Sequence, residues 1–370
     1  MSWTDRYLAI RDRWLTSRRF QRWAAAFPLT RPTAQRRARA LFDVCAGFVY
    51  SQILYACVRL KLFEFLAIGP DSAANIAHAL QVPLDSAERL LEAAVSLRLV
   101  ERRLGNRFGL GPLGAALVGN PAVGAMVEHH NLLYADLHDP VALLRRKCSD
   151  TELAKYWNYT GGGMDANREP ASAADYTQLM ADSQPLVAAE ILDAYPLGKH
   201  RCLLDVGGGD GSFVVEASKH SEKIQLMLFD LPAVAERAAQ RFTALGLDHR
   251  AQAIGGNFLA DALPLGADVV SLVRVIHDHD DVPAATILNA VYQALPGKGV
   301  LLLAEPMMGT PGAEPVGDAY FGFYLLAMGR GKPRTPQALR KLLNSAGFVR
   351  SRLVRTRQPL QSRLIVAHKH

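Results

Sequence analysis

The stretch Arg274-Val275-Ile276-His277-Asp278-His279-Asp280-Asp281 holds the densest set of groups able to move a proton. It directly follows an apolar run, Asp268 to Val273, that reads as a strand. An imidazole loses its proton near working pH, so His277 at the end of a strand suits removal of a hydroxyl proton. Ligands of an open α/β sheet bind at that edge. Two other readings stay open from these residues alone. The His-Asp-His-Asp-Asp cluster could hold a divalent cation, or the histidine could only cap the following helix.

A second stretch runs from Leu203 through Asp205, Gly207, Gly208, Gly209 and Gly211 to Phe213. It is an apolar strand entering a glycine-rich turn and then a helix, predicted over Phe213 to Ser218. Glycine lets a backbone approach a ligand closely and adopt positive φ. Asp230 stands 23 residues after Gly207 and ends the apolar run Leu226 to Phe229. A carboxylate there can accept hydrogen bonds from both ribose hydroxyls of an adenosine. The pair alone suits a dinucleotide as well as other adenosine cofactors.

The order Asp205-Val206-Gly207-Gly208-Gly209-Asp210-Gly211 resembles class I methyltransferases rather than the GxGxxG of dehydrogenases. That resemblance implies S-adenosylmethionine, with Asp205, Gly207, Gly209, Asp230 and its neighbour Leu231 around it. The segment from Arg274 resembles the His-Asp-Trp-x-Asp motif of O-methyltransferases acting on small phenols and hydroxyindoles, with His279 at the tryptophan position. The likeness implies that His277 is the general base and that Arg274 lies near the cofactor. Gly255-Gly256-Asn257-Phe258 resembles the family's Gly-Asp-Phe segment at the adenine, with Asn257 in place of the acid. An amide can still exchange hydrogen bonds with an amino group. Glu305, after Val300 to Ala304, matches one of two acids that flank the histidine. The second should follow Arg334-Thr335, where this chain has Pro336. The resemblance spans roughly residues 40 to 370.

These residues need a sheet to hold them. Apolar runs at Cys202 to Val206, Leu226 to Phe229, Val269 to Val273 and Val300 to Ala304 alternate with helical patterns. That predicts a parallel sheet covered on both faces, a Rossmann-like domain over 191–370. Before it, residues 121–190 read as a helical connector and substrate lid with a loop at Gly161-Gly162-Gly163. Residues 41–120 read as apolar helices to Gly69-Pro70, a helix from about Ser72, and a helix opened by Asp85 and Glu88 as a capping pair. A hairpin around Gly105-Asn106 follows. This is a winged-helix pattern, which suits either DNA binding or a dimerisation scaffold. The helix from Asp85 to Arg98 sets Asp85, Glu88 and Glu92 against Arg89 and Arg98, a poor face for phosphate. No nucleic-acid partner is therefore expected, and the family implies a homodimer through this region. The expected fold class is α/β: a Rossmann-like methyltransferase domain behind a helical, winged-helix-like dimerisation domain.

The net charge of +7 is uneven, since residues 1–40 hold ten arginines against Asp5 and Asp12. Three of the four tryptophans share that arm. Such a segment suits an in-plane membrane helix, or a helix packed on the dimer with a solvated basic face. The run Leu41 to Leu60 is interrupted by Asp43, Gln52 and Arg59, so no span of roughly 20 apolar residues is expected. No secretory signal is recognised, and four scattered cysteines suit a reducing cytoplasm.

Phe20 to Trp23, Arg36 to Asp43, Ala46 to Gln52 and Gly317 to Gly329 resemble a carotenoid-modifying branch of the same family. That implies a hydrophobic acceptor, the tertiary C1 hydroxyl of an acyclic carotenoid of the 1-hydroxyneurosporene type. It also implies an enzyme peripheral to the inner photosynthetic membrane. Tyr320 to Met328 is apolar enough to line a polyene tunnel, and equally suits a buried core helix. A phenol, hydroxyindole or tetrapyrrole acceptor remains an alternative. So does a winged-helix regulator with a metabolite-sensing domain.

Overall fold

The computed structural model describes residues 2–146, 150–158, 184–357 and 362–370. Cys148 and the Gly161–Gly163 loop fall outside them. The chain divides into two compact units, Met1–Asn120 and Pro121–His370.

The first unit opens with α1 (Trp3–Leu15), α2 (Arg18–Ala26) and the long α3 (Arg31–Arg59). Ser2 and Ser17 cap the first two helices through their hydroxyls. Then come α4 (Leu62–Ile68), β1 (Asp71–Ser72), α5 (Ala73–Leu80), α6 (Leu84–Ser96), β2 (Val100–Arg103), β3 (Arg107–Leu110) and α7 (Pro112–Val118). The strands pair antiparallel in the order β1-β3-β2. Gly105 and Asn106 both take positive φ at the hairpin, as a tight two-strand turn requires. Leu62, Phe63, Ile76, Leu91, Val100 and Phe108 close a core beneath it. The capping pair expected at Asp85 and Glu88 does not form. Pro83 is the N-cap of α6 and leaves Asp85 inside the first turn, where its charge faces the helix's positive end.

Helix α3 departs from expectation too. Asp43 and Gln52 do not interrupt it, and by length and composition it is apolar enough to cross a bilayer, at mean hydropathy 1.6. Leu41, Val44 and Phe48 lie along one side at 66%, 80% and 72% exposure, and only Cys57 is buried.

The second unit begins with α8 (Pro121–Asp136), α9 (Pro140–Leu144), α10 (Glu152–Asn158) and α11 (residues 184–194). After them come β4 (Cys202–Val206), α12 (Ser212–His220), β5 (Gln225–Asp230), α13 (Pro232–Ala244), β6 (Ala251–Gly255) and β7 (Val269–Val273). Then follow α14 (Asp281–Ala294), β8 (Val300–Glu305), α15 (Phe321–Met328), α16 (Pro336–Ser345), β9 (Arg350–Val354) and β10 (Arg363–His368). Seven strands form one sheet in the order β6-β5-β4-β7-β8-β10-β9. Successive residues of β8 point to opposite faces, as the two-residue period demands. Leu301 and Leu303 join α14 and α16 on one side. Leu302 and Ala304 join the core of α11, α12 and α13 on the other. The sheet is not wholly parallel, because β10 runs antiparallel to both β8 and β9.

Candidate active site

The carboxyl ends of β4, β5, β7 and β8 all open on the same edge of the sheet. At the end of β4 the chain turns through Gly207, Gly209 and Gly211, all at positive φ. A side chain at Gly207 would also lie 2.9 Å from the Val275 side chain, and Phe258 stands close behind. Around Gly209 there is open space, so the turn offers bare backbone to a ligand.

Two aspartates lie beside the turn, and one of them bonds it. Asp230 accepts from the Gly209 amide at 2.8 Å and from the Leu231 amide at 2.7 Å. Burial raises its pKa, and those amide bonds partly restore it. Asp205 is buried and accepts from the Ser271 hydroxyl at 2.6 Å. Its Oδ2 has no partner, and burial pushes its pKa up to about 7. Gln184 Oε1 and Arg237 Nε are likewise buried without a partner. Both residues line the same cavity as Gly207 to Asp210. Unmet buried polar atoms around a glycine turn fit a ligand that carries both charged groups and hydrogen-bonding groups.

Across that cavity, β7 ends in Arg274 and a single 3-10 turn, Ile276–Asp278. Arg274 takes a φ of +59°, uncommon outside glycine, and donates its amide to Ala304 at 2.8 Å. His277 is buried. Its Nδ1 donates to Glu305 Oε2 at 2.5 Å, because a carboxylate can only accept. Glu305 Oε1 in turn accepts from the Ile276 amide at 2.6 Å and the Val275 amide at 3.2 Å. In the neutral ring this bond keeps the proton on Nδ1 and leaves Nε2 as the unprotonated nitrogen. Asp278 Oδ1 stands 3.2 Å from that Nε2. Burial opposes the imidazolium, but Asp278 and Glu305 together outweigh it and raise the His277 pKa. The ring of Phe321 meets the imidazole edge-on at 5.6 Å.

The turn is held from outside by residues 331–334. Gly331 passes so close that a Cβ there would lie 2.3 Å from the His277 carbonyl, and Lys332 donates to that carbonyl at 2.9 Å. The buried Arg334 guanidinium donates to the carbonyls of Ile276 at 2.9 Å and His279 at 2.8 Å, and to Asp281 at 2.9 Å. Thr335 caps α16, and Pro336 occupies its first turn, where a missing N–H costs nothing. No acid stands at Pro336. The carboxylate on the Nε2 side is Asp278, which motif matching left unassigned although it lies inside the motif. Gln184, Arg237 and Arg334 were also missed, and each acts across a long sequence separation.

Gly207, Gly209, Arg274 and His277 line one cavity. Asp230 and Glu305 stand behind that lining as hydrogen-bond partners of Gly209 and His277, Asp205 bonds Ser271 below it, and Leu231 lends its amide to Asp230. Asn257 sits after β6, where its side-chain Oδ1 accepts from the Leu259 amide at 3.0 Å. Phe258 meets His279 edge-on at 5.5 Å, so this segment and the His277 turn touch. Burial lowers the His279 pKa and keeps it neutral. Among the described residues no three His, Cys, Asp or Glu groups converge on a metal position.

The remaining wall is aromatic: Trp157, Tyr320, Phe321 and Tyr324, with Met126. Tyr324 accepts from Trp157 Nε1 at 2.9 Å and donates to His129 Nε2 at 2.7 Å. Burial drives His129 down to about 4, so its ring is neutral and can accept. Tyr320 pairs with His130 Nε2 at 2.8 Å. The segment 320–328 therefore divides between a cavity wall and core. Tyr320, Phe321 and Tyr324 line the cavity, while Leu325, Ala327 and Met328 are core.

The O-methyltransferase domain family matches residues 134–349, and the O-methyltransferase dimerisation domain matches residues 42–120. The demethylspheroidene O-methyltransferase of Cereibacter sphaeroides is 42% identical over 90% of this chain and 87% of its own length. The acetylserotonin O-methyltransferase of Mus musculus is 29% identical over 88% of this chain and 87% of its own. The crystal structure of human N-acetylserotonin methyltransferase in complex with S-adenosylmethionine superposes with a TM-score of 0.74. It is 25% identical, covering 90% of this chain and 97% of that one.

Proposed function

The chain belongs to the O-methyltransferase family and is an S-adenosylmethionine-dependent O-methyltransferase with a dimerisation domain, and from that premise we propose that it methylates the tertiary C1 hydroxyl of an acyclic carotenoid of the 1-hydroxyneurosporene type. The observation that carries the choice of acceptor is the aromatic wall beside His277. Its tyrosine hydroxyls are already bound to His129 and His130, so the surface turned to the acceptor is ring and thioether. A polyene needs such a surface and no hydrogen bonds from it. The likeness to a demethylspheroidene O-methyltransferase supports the same acceptor.

In this reading the cofactor supplies an electrophilic methyl on a sulfonium. Asp230 and Leu231 hold the ribose side. Asp205, Gly207, Gly209 and Arg274 shape the methionine side, and Asn257 and Phe258 border the adenine. His277 Nε2 takes the acceptor's hydroxyl proton, while Glu305 keeps Nδ1 protonated and the ring aligned. A tertiary alcohol is far less acidic than a phenol, so the proton leaves as the oxygen attacks rather than before. The protein's main contribution is alignment of the hydroxyl oxygen. The substrate is dissolved in membrane, so residues 1–40 are proposed to meet the membrane from the cytoplasmic side. A hydroxyindole is the second acceptor class, favoured by the 29% identity with a mouse acetylserotonin O-methyltransferase.

The test is methyl-labelled S-adenosylmethionine with 1-hydroxyneurosporene in liposomes and, separately, a panel of soluble phenols and hydroxyindoles. Label in the carotenoid is the expected result. Label only in the soluble panel would remove the carotenoid assignment and leave the reaction class.

A further inference from the structure

Helix α1 has no buried residue, yet it carries large apolar side chains in a strict pattern. Trp3, Tyr7, Ile10 and Trp14 follow one another by four, three and four residues, a single stripe on an α-helix. They are 89%, 70%, 59% and 59% exposed. At about 100° per residue, Arg6 and Arg13 flank the stripe on one side and Arg11 on the other, while Asp5 and Asp12 fall on the back.

The stripe continues past the helix end. Trp14 meets Phe20 at 5.6 Å, Phe20 meets Trp23 at 5.7 Å, and Trp23 stacks on Phe27 at 5.2 Å. Trp23 remains 51% exposed, and Arg19 lines the shallow groove between Trp14 and Trp23. Arginine and aromatic side chains are enriched at protein–protein interfaces as well, so it is their order around the helix that selects the occupant. Here Arg6 and Arg13 border the apolar stripe on one flank, Arg11 on the other pairs with Asp12 at 2.7 Å, and Asp5 caps the start of the helix. That is the charge order of a helix lying in a lipid interface, rings at the headgroup level and cations on phosphates. A duplex would use the arginines and leave the Ile10 face wet.

We propose that α1 and the aromatic corner at α2 form an in-plane anchor on an anionic phospholipid surface. Trp3, Tyr7, Ile10 and Trp14 enter the headgroup boundary, and Arg6, Arg11 and Arg13 contact lipid phosphates. This deepens the reading of a membrane-dissolved acceptor and rests on it, but it is measured without any acceptor.

Full-length protein is mixed with vesicles of phosphatidylcholine alone or with phosphatidylglycerol, and flotation and tryptophan emission are recorded. The expected result is binding to anionic vesicles with blue-shifted emission. In Arg6→Gln/Arg11→Gln/Arg13→Gln, partitioning falls on the order of 100-fold, the equivalent of about 1 kcal/mol per arginine. Trp3→Ala/Trp14→Ala loses the blue shift. Both variants keep wild-type transfer to a soluble or detergent-dispersed acceptor. Equal flotation of wild type and variants overturns the proposal. So does salt-dependent binding to duplex DNA in place of vesicles, or self-association that the variants abolish while vesicles are ignored. Vesicle binding without carotenoid methylation would sink the acceptor reading and leave the anchor standing. Carotenoid methylation without vesicle binding would do the reverse.

Discussion

His277 lies between two carboxylates, with Glu305 on Nδ1 and Asp278 near Nε2, and this sets how its proton behaves. Its folded pKa is raised, and only the neutral ring can accept a proton. Turnover should therefore climb as pH rises through that raised value. Asp278→Asn removes a charge that favours the imidazolium and should move the rising limb to lower pH, measured as kcat against pH. A limb unmoved or moved upward would exclude Asp278 from this role. The same shift has a stability consequence with a definite sign. Protonated His277 stabilises the native state fully below the unfolded histidine value, about 6.5, and that gain is lost as pH rises through the folded value. His277→Ala should retain cofactor binding by calorimetry while kcat falls on the order of 100-fold or more. At this scale the sequence located His277 and Glu305, because one closely follows and the other ends a recognisable strand. The place of Asp278 depends on the backbone of a 3-10 turn, which residue types do not encode.

Elements carry what single residues cannot. The segment 331–334 holds the His277 turn by three carbonyls, and its anchor Arg334 is 4% exposed. Arg334→Ala should leave buried carbonyls unpaired, costing about 3 kcal/mol in urea unfolding. It should also lower kcat more than it raises KM for the cofactor, with partial rescue in Arg334→Lys. Unchanged kcat in a folded Arg334→Ala would show that the strap does not position the base. No local pattern announced this strap, since it reaches Ile276 from 58 residues away. The glycine turn and the four apolar runs were legible because strand, turn and helix are contiguous there. The antiparallel edge was not. Leu364 to Ala367 is an apolar run like the others, and only the short return from β9 reverses its direction.

At the level of the whole molecule, Val44 and Phe48 on the exposed face of α3 fall within the matched dimerisation domain. Phe48→Glu places a charge in that face and should shift the protein from dimer to monomer in sedimentation equilibrium. A dimer that persists would move the interface elsewhere. The change of sequence texture near residue 200, from helical patterns to alternating strands, marks where the sheet begins, whereas the two units divide at Asn120 and Pro121, so α8 to α11 belong with the sheet. The arm's stripe was hidden until the helix register was known, because arginines and aromatics mix when read linearly. The orphaned oxygen of Asp205 also links the molecule to its solution. With a pKa near 7, the ligand-free protein holds a fraction of a proton there at neutrality. On the proposed placement of the cofactor, its positive charges would favour the carboxylate and release that proton to the buffer. The heat of cofactor binding should then differ between phosphate and Tris at pH 7, in proportion to their ionisation enthalpies, and become buffer-independent in Asp205→Asn. Loading the enzyme would thus be a small acid release, and cellular pH would set how firmly the cofactor is held.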